Sequence, residues 1–361
     1  MIPYIVIFFI FAIPALFRQR SLYGISLLAV FILLVIYIGL RTEIGGDWDR
    51  YATLVPLFKQ ASLKASLLRK EGLFFFFHWL VGKFDGSVHE VNLIFASIFT
   101  AGLLTYCKNN KYPWLGIVIA YPVLIMIVSL GYTRQSAALG LEFFALIALE
   151  NGKFLKSLFL VTTGAFFHIT LISLYGLVIK VWSKYASKVR YAWKYFIIIS
   201  ILLFLAYRYY ESSSGYYLSV YILSTAGGIR PGEYTSKGAL PRLIPTLIAA
   251  AILIFNKNRF TQLDGIHKTS IYYTLALVTI FLTVLLFVFP LNTTWIDRMA
   301  IYCAPLTIYV FTRLVDFNFL KITSSQSTFI IVSSSLALTI GWLAFAVHAV
   351  HWLPYKNILF S

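Results

Sequence analysis

Apolar runs long enough to cross a bilayer recur from one end of the chain to the other, each closed by a short polar break. No other feature restricts the fold as much. A helical crossing needs about 20 apolar residues, and lipid obliges each crossing to satisfy its own backbone hydrogen bonds. The runs lack the two-residue alternation of a membrane barrel, so they read as helices. Composition agrees: of 361 residues, 60% are hydrophobic and 12% charged, with a mean hydropathy of +0.83. A soluble domain has about twice that share of charge, so no single water-soluble core accounts for the sequence.

The sequence predicts an all-α, polytopic membrane protein of about twelve crossings. They fall near 2–17, 21–40, 90–107, 112–130, 134–150, 154–169, 170–181, 192–208, 241–256, 269–290, 298–315 and 326–348. The adjacent runs 154–169 and 170–181 are each short and fit two half-helices or one broken helix. Segment 72–84 is apolar but short, which suits an interfacial or re-entrant helix. Two long polar connections, 41–71 and 209–240, separate crossings, and loops of that length often carry function. With no internal repeat or low-complexity tail, residues 1–361 read as one membrane domain.

Charge orients the set. With the N-terminus outside, sixteen of the thirty Lys and Arg fall in inner connections: Arg18, Arg20, Lys108, Lys111, Lys153, Lys156, the Lys180–Lys194 stretch, Lys257, Arg259, Lys268, Arg313 and Lys321. These connections total about 55 residues against about 113 outside, the bias of the positive-inside rule. Nine of thirteen acids (Glu43, Asp47, Asp49, Glu71, Asp85, Glu90, Glu211, Glu233 and Asp297) fall outside, with both long connections. The net charge of +17 is therefore topological. It forms no basic stripe with a recognition motif, which excludes nucleic acid as partner. Cys107 and Cys303 lie in or beside apolar runs and form neither a disulfide framework nor a metal site. No basic stretch precedes the first run, so no cleavable signal peptide is expected.

Polar constellations gather on the outer side. The densest is Arg41-Thr-Glu-Ile-Gly-Gly-Asp47-Trp48-Asp49-Arg50-Tyr51, where two glycines permit a tight turn. It reads either as a charged interfacial cap or as part of a site. Arg134, in Gly131-Tyr-Thr-Arg134-Gln135, opens a crossing beside exposed backbone N–H groups, an arrangement suited to anions or to snorkelling. Glu142 shares that helix face with Gln135 and needs a partner at such depth. His168 stands among apolar neighbours, as a satisfied donor or a base. Asp297-Arg298 opens another crossing, as a local ion pair or as site residues. Arg230, Glu233 and Lys237 in the second long connection either bind a polar substrate or are solvated, and the tail His351–Lys356 looks interfacial. Arg41, Arg134 and Arg298 together suit a diphosphate, because the guanidinium fork makes parallel charge-assisted bonds. Aromatics, 18% of the chain, suit interfacial belts and sugar platforms. No Walker loop, nucleotide fingerprint, Gly-x-Ser-x-Gly, His-Glu-x-x-His or acidic metal pair is present. No cofactor or metal is expected, and an activated substrate would supply the driving energy.

The ordered motifs Arg41-x3-Gly45-x-Asp47-x3-Tyr51, Glu71-Gly-x-Phe74, Arg134-Gln135-x-x-Ala138, His168 and Arg298-x3-Tyr302, with Trp352-x2-Tyr355-Lys356 at the end, resemble the EpsG family. These are Wzy-type polymerases of O-antigen and exopolysaccharide. One departure is Gly72, where a proline more often follows the glutamate. The resemblance implies a GT-C-like glycosyltransferase of the bacterial inner membrane with its active site facing the periplasm. It would transfer a growing glycan from undecaprenyl diphosphate to the non-reducing end of another lipid-linked repeat unit, alongside a chain-length-regulating membrane protein. Arg41, Arg134, Gln135 and Arg298 would then hold the diphosphate. Asp47, His168 and Asp297, in that order, are the candidates for the base, and Trp48, Tyr51, Arg230 and Tyr302 for sugar contacts. The competing readings are a flippase or transporter of the same lipid-linked sugar, an O-antigen ligase, a membrane O-acyltransferase and a structural subunit of an assembly complex. A transporter should show two equivalent halves, and an O-acyltransferase an early Arg/Asp/His signature; neither is found.

Overall fold

The computed structural model describes residues 1–186, 236, 238–288, 293–317 and 322–359. Within them helices are joined by short irregular connections and no strand forms, apart from one isolated antiparallel bridge between Arg41 and Asn357. The first helices are α1 (Ile2–Leu16), α2 (Gly24–Gly39), α3 (Trp48–Lys59), α4 (Leu63–Leu67), α5 (Gly72–Lys83) and α6 (Val88–Lys108). They are followed by α7 (Pro113–Ala120), α8 (Thr133–Glu150), α9 (Phe154–Ala165) and α10 (Tyr175–Ala186). Past residue 235 come α11 (Ala239–Phe255), α12 (Lys257–Val288), α13 (Thr293–Ala300), α14 (Pro305–Leu314) and α15 (Ser324–Phe345). Three of these, α6, α12 and α15, are long and apolar enough to cross a membrane alone, and six further apolar helices are shorter. The expected crossing at 192–208 and the connection 209–240, with Arg230 and Lys237, lie outside the described residues, apart from Ser236 and the start of α11.

Local chemistry sets many of the ends. Ser87 and Glu90 close a capping box at the start of α6, and Thr323 and Gln326 do so for α15. Pro113 and Pro305 occupy first-turn positions, where the missing N–H costs nothing. Beyond α7 the chain winds on as a π-helix, Tyr121–Ser129, with Pro122 in its first turn.

The interior is built on α6 and α8, which also pack on α2 and α9. A Cβ at Gly102 would lie 2.1 Å from the Gly140 carbonyl oxygen, so the two backbones touch where no other residue fits. In lipid, helices associate through such close packing rather than through apolar burial. On α15, Phe329, Ile330, Leu338, Ile340 and Phe345 stay exposed, an apolar outer face suited to lipid.

Several expected crossings differ in detail. The pair 154–169 and 170–181 is a broken helix: α9 ends at Ala165, and a 3-10 turn (Ile169–Leu174) leads into α10. The crossing expected at 298–315 starts five residues earlier, as α13, and passes through a 3-10 turn (Ile301–Cys303) into α14. The inner connection before 269 is itself helical, joined to the rest of α12 through Gly265 at φ 80°. Connection 41–71 holds α3 and α4, and α5 packs on both. The tail is not simply interfacial. Trp352 is buried, donating Nε1–H to the Met126 carbonyl, and its ring occupies the space a Cβ at Gly131 would need.

Candidate functional site

Helix ends assigned to the outer side meet at one pole of the bundle. The amides of Leu73 and Phe74 donate to the Phe166 carbonyl at 3.1 and 3.4 Å, so the first turn of α5 is capped by the chain leaving α9. The C-terminal segment straps across the same pole. Gly45 N donates to His351 O, Thr42 N to Lys356 O and Ile358 N to Leu40 O, at 2.9 to 3.1 Å. Tyr355 stacks on Tyr37 with ring centroids 5.0 Å apart. Gly45 turns at φ 96°, where a Cβ would strike Gly131, whereas Gly46 keeps an ordinary backbone angle.

Within this pole α8 presents Arg134. Its Nη1 donates to Glu71 Oε2 at 2.6 Å, and its Nε to the Tyr51 hydroxyl at 3.3 Å. The guanidinium also lies over the Tyr51 and Phe74 rings. Tyr51 in turn donates to Asp47 Oδ2 at 3.1 Å, and Asp47 is half-buried at the N-cap of α3. His168 is buried at the break after α9. Its Nδ1 meets the Tyr302 hydroxyl at 3.0 Å and Thr170 Oγ1 at 2.6 Å. Arg298, on α13, lies half-buried over the Tyr132 ring and makes no ion pair with a carboxylate among the described residues. Its backbone carbonyl accepts from Gln135 Nε2 at 2.7 Å. Both Arg134 and Arg298 act electrostatically on His168. The pole therefore gathers Asp47, Tyr51, Arg134, Gln135, His168, Arg298 and Tyr302 from four separate stretches of chain.

Other expected residues fall elsewhere. Arg41 is fully buried and turned away from Asp47, with which it makes no ion pair: Nη1 donates to Ile38 O at 2.5 Å and Nη2 to Thr133 Oγ1 at 2.7 Å. Its Nε and the neighbouring Asn92 Nδ2 have no partner among the described residues. Burial pulls the Arg41 guanidinium down to about 10, still protonated at neutral pH. Asp297 does not pair with adjacent Arg298. It receives Arg242 Nε at 3.1 Å and Nη2 at 2.5 Å, with Ser236 Oγ at 2.9 Å, in a buried bidentate pair. A carboxylate so engaged is poorly placed to take a proton. Trp48 is buried against His89, and Tyr302 is fully buried, so neither offers an open ring face to a sugar. Glu142 is fully buried, and neither carboxyl oxygen has a hydrogen-bond partner among the described residues, so the expected partner is not found.

Glu71 and Arg242 are the residues that sequence reasoning passed over. Arg242 carried a usable signal, since it opens an apolar run on the outer side as Arg134 and Arg298 do. Glu71 stood in a recognised motif, but its contacts with residues far along the chain have no local signature.

Fold and site together define a class: an all-helical membrane protein whose helix ends converge on an arginine-rich polar pole where, among the described residues, Arg298 has no carboxylate partner. The chain belongs to the EpsG family, whose model matches residues 24–357. That membership carries a polysaccharide-polymerase-like function. No curated protein and no solved structure matches the chain.

Proposed function

We propose that this protein is a membrane glycosyltransferase that polymerises lipid-linked glycan repeat units at the outer face of the bacterial inner membrane. The growing glycan would leave undecaprenyl diphosphate and join the non-reducing end of a second unit. One observation carries this reading: Arg298 is half-buried with no carboxylate partner among the described residues, and it shares a pole with Arg134, His168 and Asp47. A cation held half out of water without a counter-charge is a receptor for an anion. In this neighbourhood a diphosphate fits its planar fork.

The chemistry follows from the donor. The acceptor hydroxyl oxygen bonds to the anomeric carbon as the bond from that carbon to the diphosphate oxygen breaks. The electron pair departs on the diphosphate, and the hydroxyl proton passes to a base. Arg298 and the Nη2 edge of Arg134 stabilise the departing charge, an effect worth about 3 kcal/mol per donor in comparable sites. Asp47 is the base we assign: Tyr51 holds Oδ2 and leaves Oδ1 open. His168 is the alternative through Nε2, since Tyr302 and Thr170 hold the other nitrogen. No metal enters this scheme, because the donor brings its own leaving group.

The test is reconstitution of the purified protein in a bilayer with undecaprenyl-diphosphate-linked repeat units on both sides. A ladder of longer lipid-linked glycans is the expected product. Movement of the units across the bilayer without elongation would instead make the protein a transporter and overturn the proposal.

A further inference from the structure

Among the described residues, Glu71 is the carboxylate that touches both halves of the proposed site. Its Oε2 accepts from Arg134 Nη1 at 2.6 Å, and its Oε1 accepts from the Ile169 amide at 3.2 Å, the residue directly after His168. The side chain is almost wholly enclosed, with 4% of its surface exposed. Its own backbone is fixed from both directions. Glu71 sits at φ 60°, a conformation that L-residues adopt at a cost. Just beyond Gly72, the amides of Leu73 and Phe74 are bonded to the Phe166 carbonyl. A Cβ on Gly72 would lie 2.4 Å from the Leu67 carbonyl oxygen, so the chain at this point has no room to shift. The start of α5 is thus bolted to the break after α9, and the carboxylate reaches from it to α8.

From this geometry we infer that Glu71 is a positioning residue: it sets the spacing between Arg134 and the His168 turn, and it cancels the charge of Arg134. The inference rests on the functional reading above. Two consequences follow. Arg134 keeps one fork edge, Nη2, turned free of Glu71, so its direction toward an incoming anion is set by the carboxylate behind it. Of the guanidiniums of Arg134 and Arg298, the site then presents only that of Arg298 without a carboxylate among the described residues. The diphosphate is bound at Arg298 and oriented by Arg134, which separates affinity from orientation. A residue acting through orientation affects kcat more than KM.

The experiment compares wild type, Glu71→Gln and Glu71→Asp, each purified in a bilayer mimic, in the polymerisation assay with lipid-linked repeat units. Thermal unfolding is followed in parallel, together with hydrogen exchange of the peptide spanning residues 166–171. Glu71→Gln keeps an acceptor for the Ile169 amide but loses the charge that holds Arg134. It should lower kcat by about 10- to 100-fold with KM for the donor changed by no more than about threefold. Glu71→Asp keeps the charge on a shorter arm, so it should recover part of the lost turnover while exchange in 166–171 rises. A Glu71→Gln kcat within about twofold of wild type overturns the inference. So does a kcat that simply follows the folded fraction in both variants, since that is all a purely structural contact would produce. If Glu71→Gln does not fold, Glu71→Asp decides by the same kcat and exchange criteria. A wild-type protein that elongates nothing defeats the functional reading instead. In that case unchanged exchange of 166–171 in Glu71→Asp would show that Glu71 does not hold the turn either.

Discussion

At the pole away from the candidate site, Arg313 donates Nε and Nη2 to the two oxygens of Asp264, at 2.6 and 3.2 Å, and Nη1 to Asn110 at 2.6 Å. Around it Lys268 pairs with Glu150, Lys111 with Asp316, and Tyr106 and Tyr272 pass a hydrogen-bond chain on to Glu150. Tyr272 and Tyr309 stack with centroids 3.7 Å apart, and the Arg313 guanidinium covers Tyr309. At the site pole the ledger stays open. Arg134 is matched by Glu71, while among the described residues Arg298 has no carboxylate and one oxygen of Asp47 accepts no hydrogen bond. Buried charge is tolerated only when it is matched. A matched cluster fastens helices together, whereas under the function proposed here the unmatched one is completed by its ligand. Both poles hold arginine and tyrosine in quantity, so composition alone does not tell them apart.

That contrast can be broken by mutation. The largest expected effect is at Arg298: Arg298→Ala should lower kcat/KM for the lipid-linked donor by about 10³-fold. Its melting temperature should stay close to wild type, because no ion pair is lost. A fall in stability with turnover intact would reverse the assignment of the two poles. Next comes Asp47→Asn, which should cost about 10²-fold in kcat, read from the polymerisation assay. If Asp47→Asn retains wild-type turnover while His168→Ala loses it, the proton goes to His168. Arg313→Ala should behave in the opposite sense. It strands Asp264 half-buried without its partner, so stability should drop by about 3 kcal/mol, measured by denaturation, with turnover per folded molecule unchanged.

The smallest effect is expected at Lys59, whose exposed ion pair with Asp85 joins α3 to the connection after α5. Hydrogen bonding to Lys59 holds the Asp85 carboxyl below its usual range. A depressed folded-state value means that the contribution is present at neutral pH and disappears as pH falls through that value. Lys59→Ala should therefore lower the melting temperature by only about 1–2 °C at pH 7, and the difference should vanish in acid. A large loss at pH 7 would show that an exposed pair at the site pole carries structural weight, blurring the contrast between the poles.

Much of the architecture was legible in the residues taken in order. Apolar length and period mark crossings, and lysine and arginine counts orient them, because both depend on what neighbouring residues do together in lipid. The contacts keep the two sets of ends apart: Gly45 with His351, Glu71 with Ile169 and Gln135 with Arg298 join ends expected on one side, while Arg313 with Asp264 and Lys111 with Asp316 join ends expected on the other. The arginines that open outer helices were legible too, since a cation beside a run of apolar residues stands out. Helix breaks were only half legible. The short runs 154–169 and 170–181 announced one, but the π-helix after α7, with Pro122 as its one breaker, and the 3-10 turn before α14 sit inside runs that read as continuous crossings.

What the sequence by itself determined is the class of the molecule, the grouping of its helix ends into two sets, and the short list of charged residues from which a site has to be drawn. Only the tertiary structure decided which of those charges are matched. Arg41, Arg134 and Arg298 look alike along the chain, yet one is enclosed against Thr133, one is held by Glu71 and one is left over. Matching depends on partners far away in sequence, 63 residues for Arg134 and 55 for the Arg242–Asp297 pair that removes Asp297 from Arg298. A Coulomb interaction falls with distance in space, whatever the number of residues between the charges. The pairing was therefore set only when the helix ends came together at one pole.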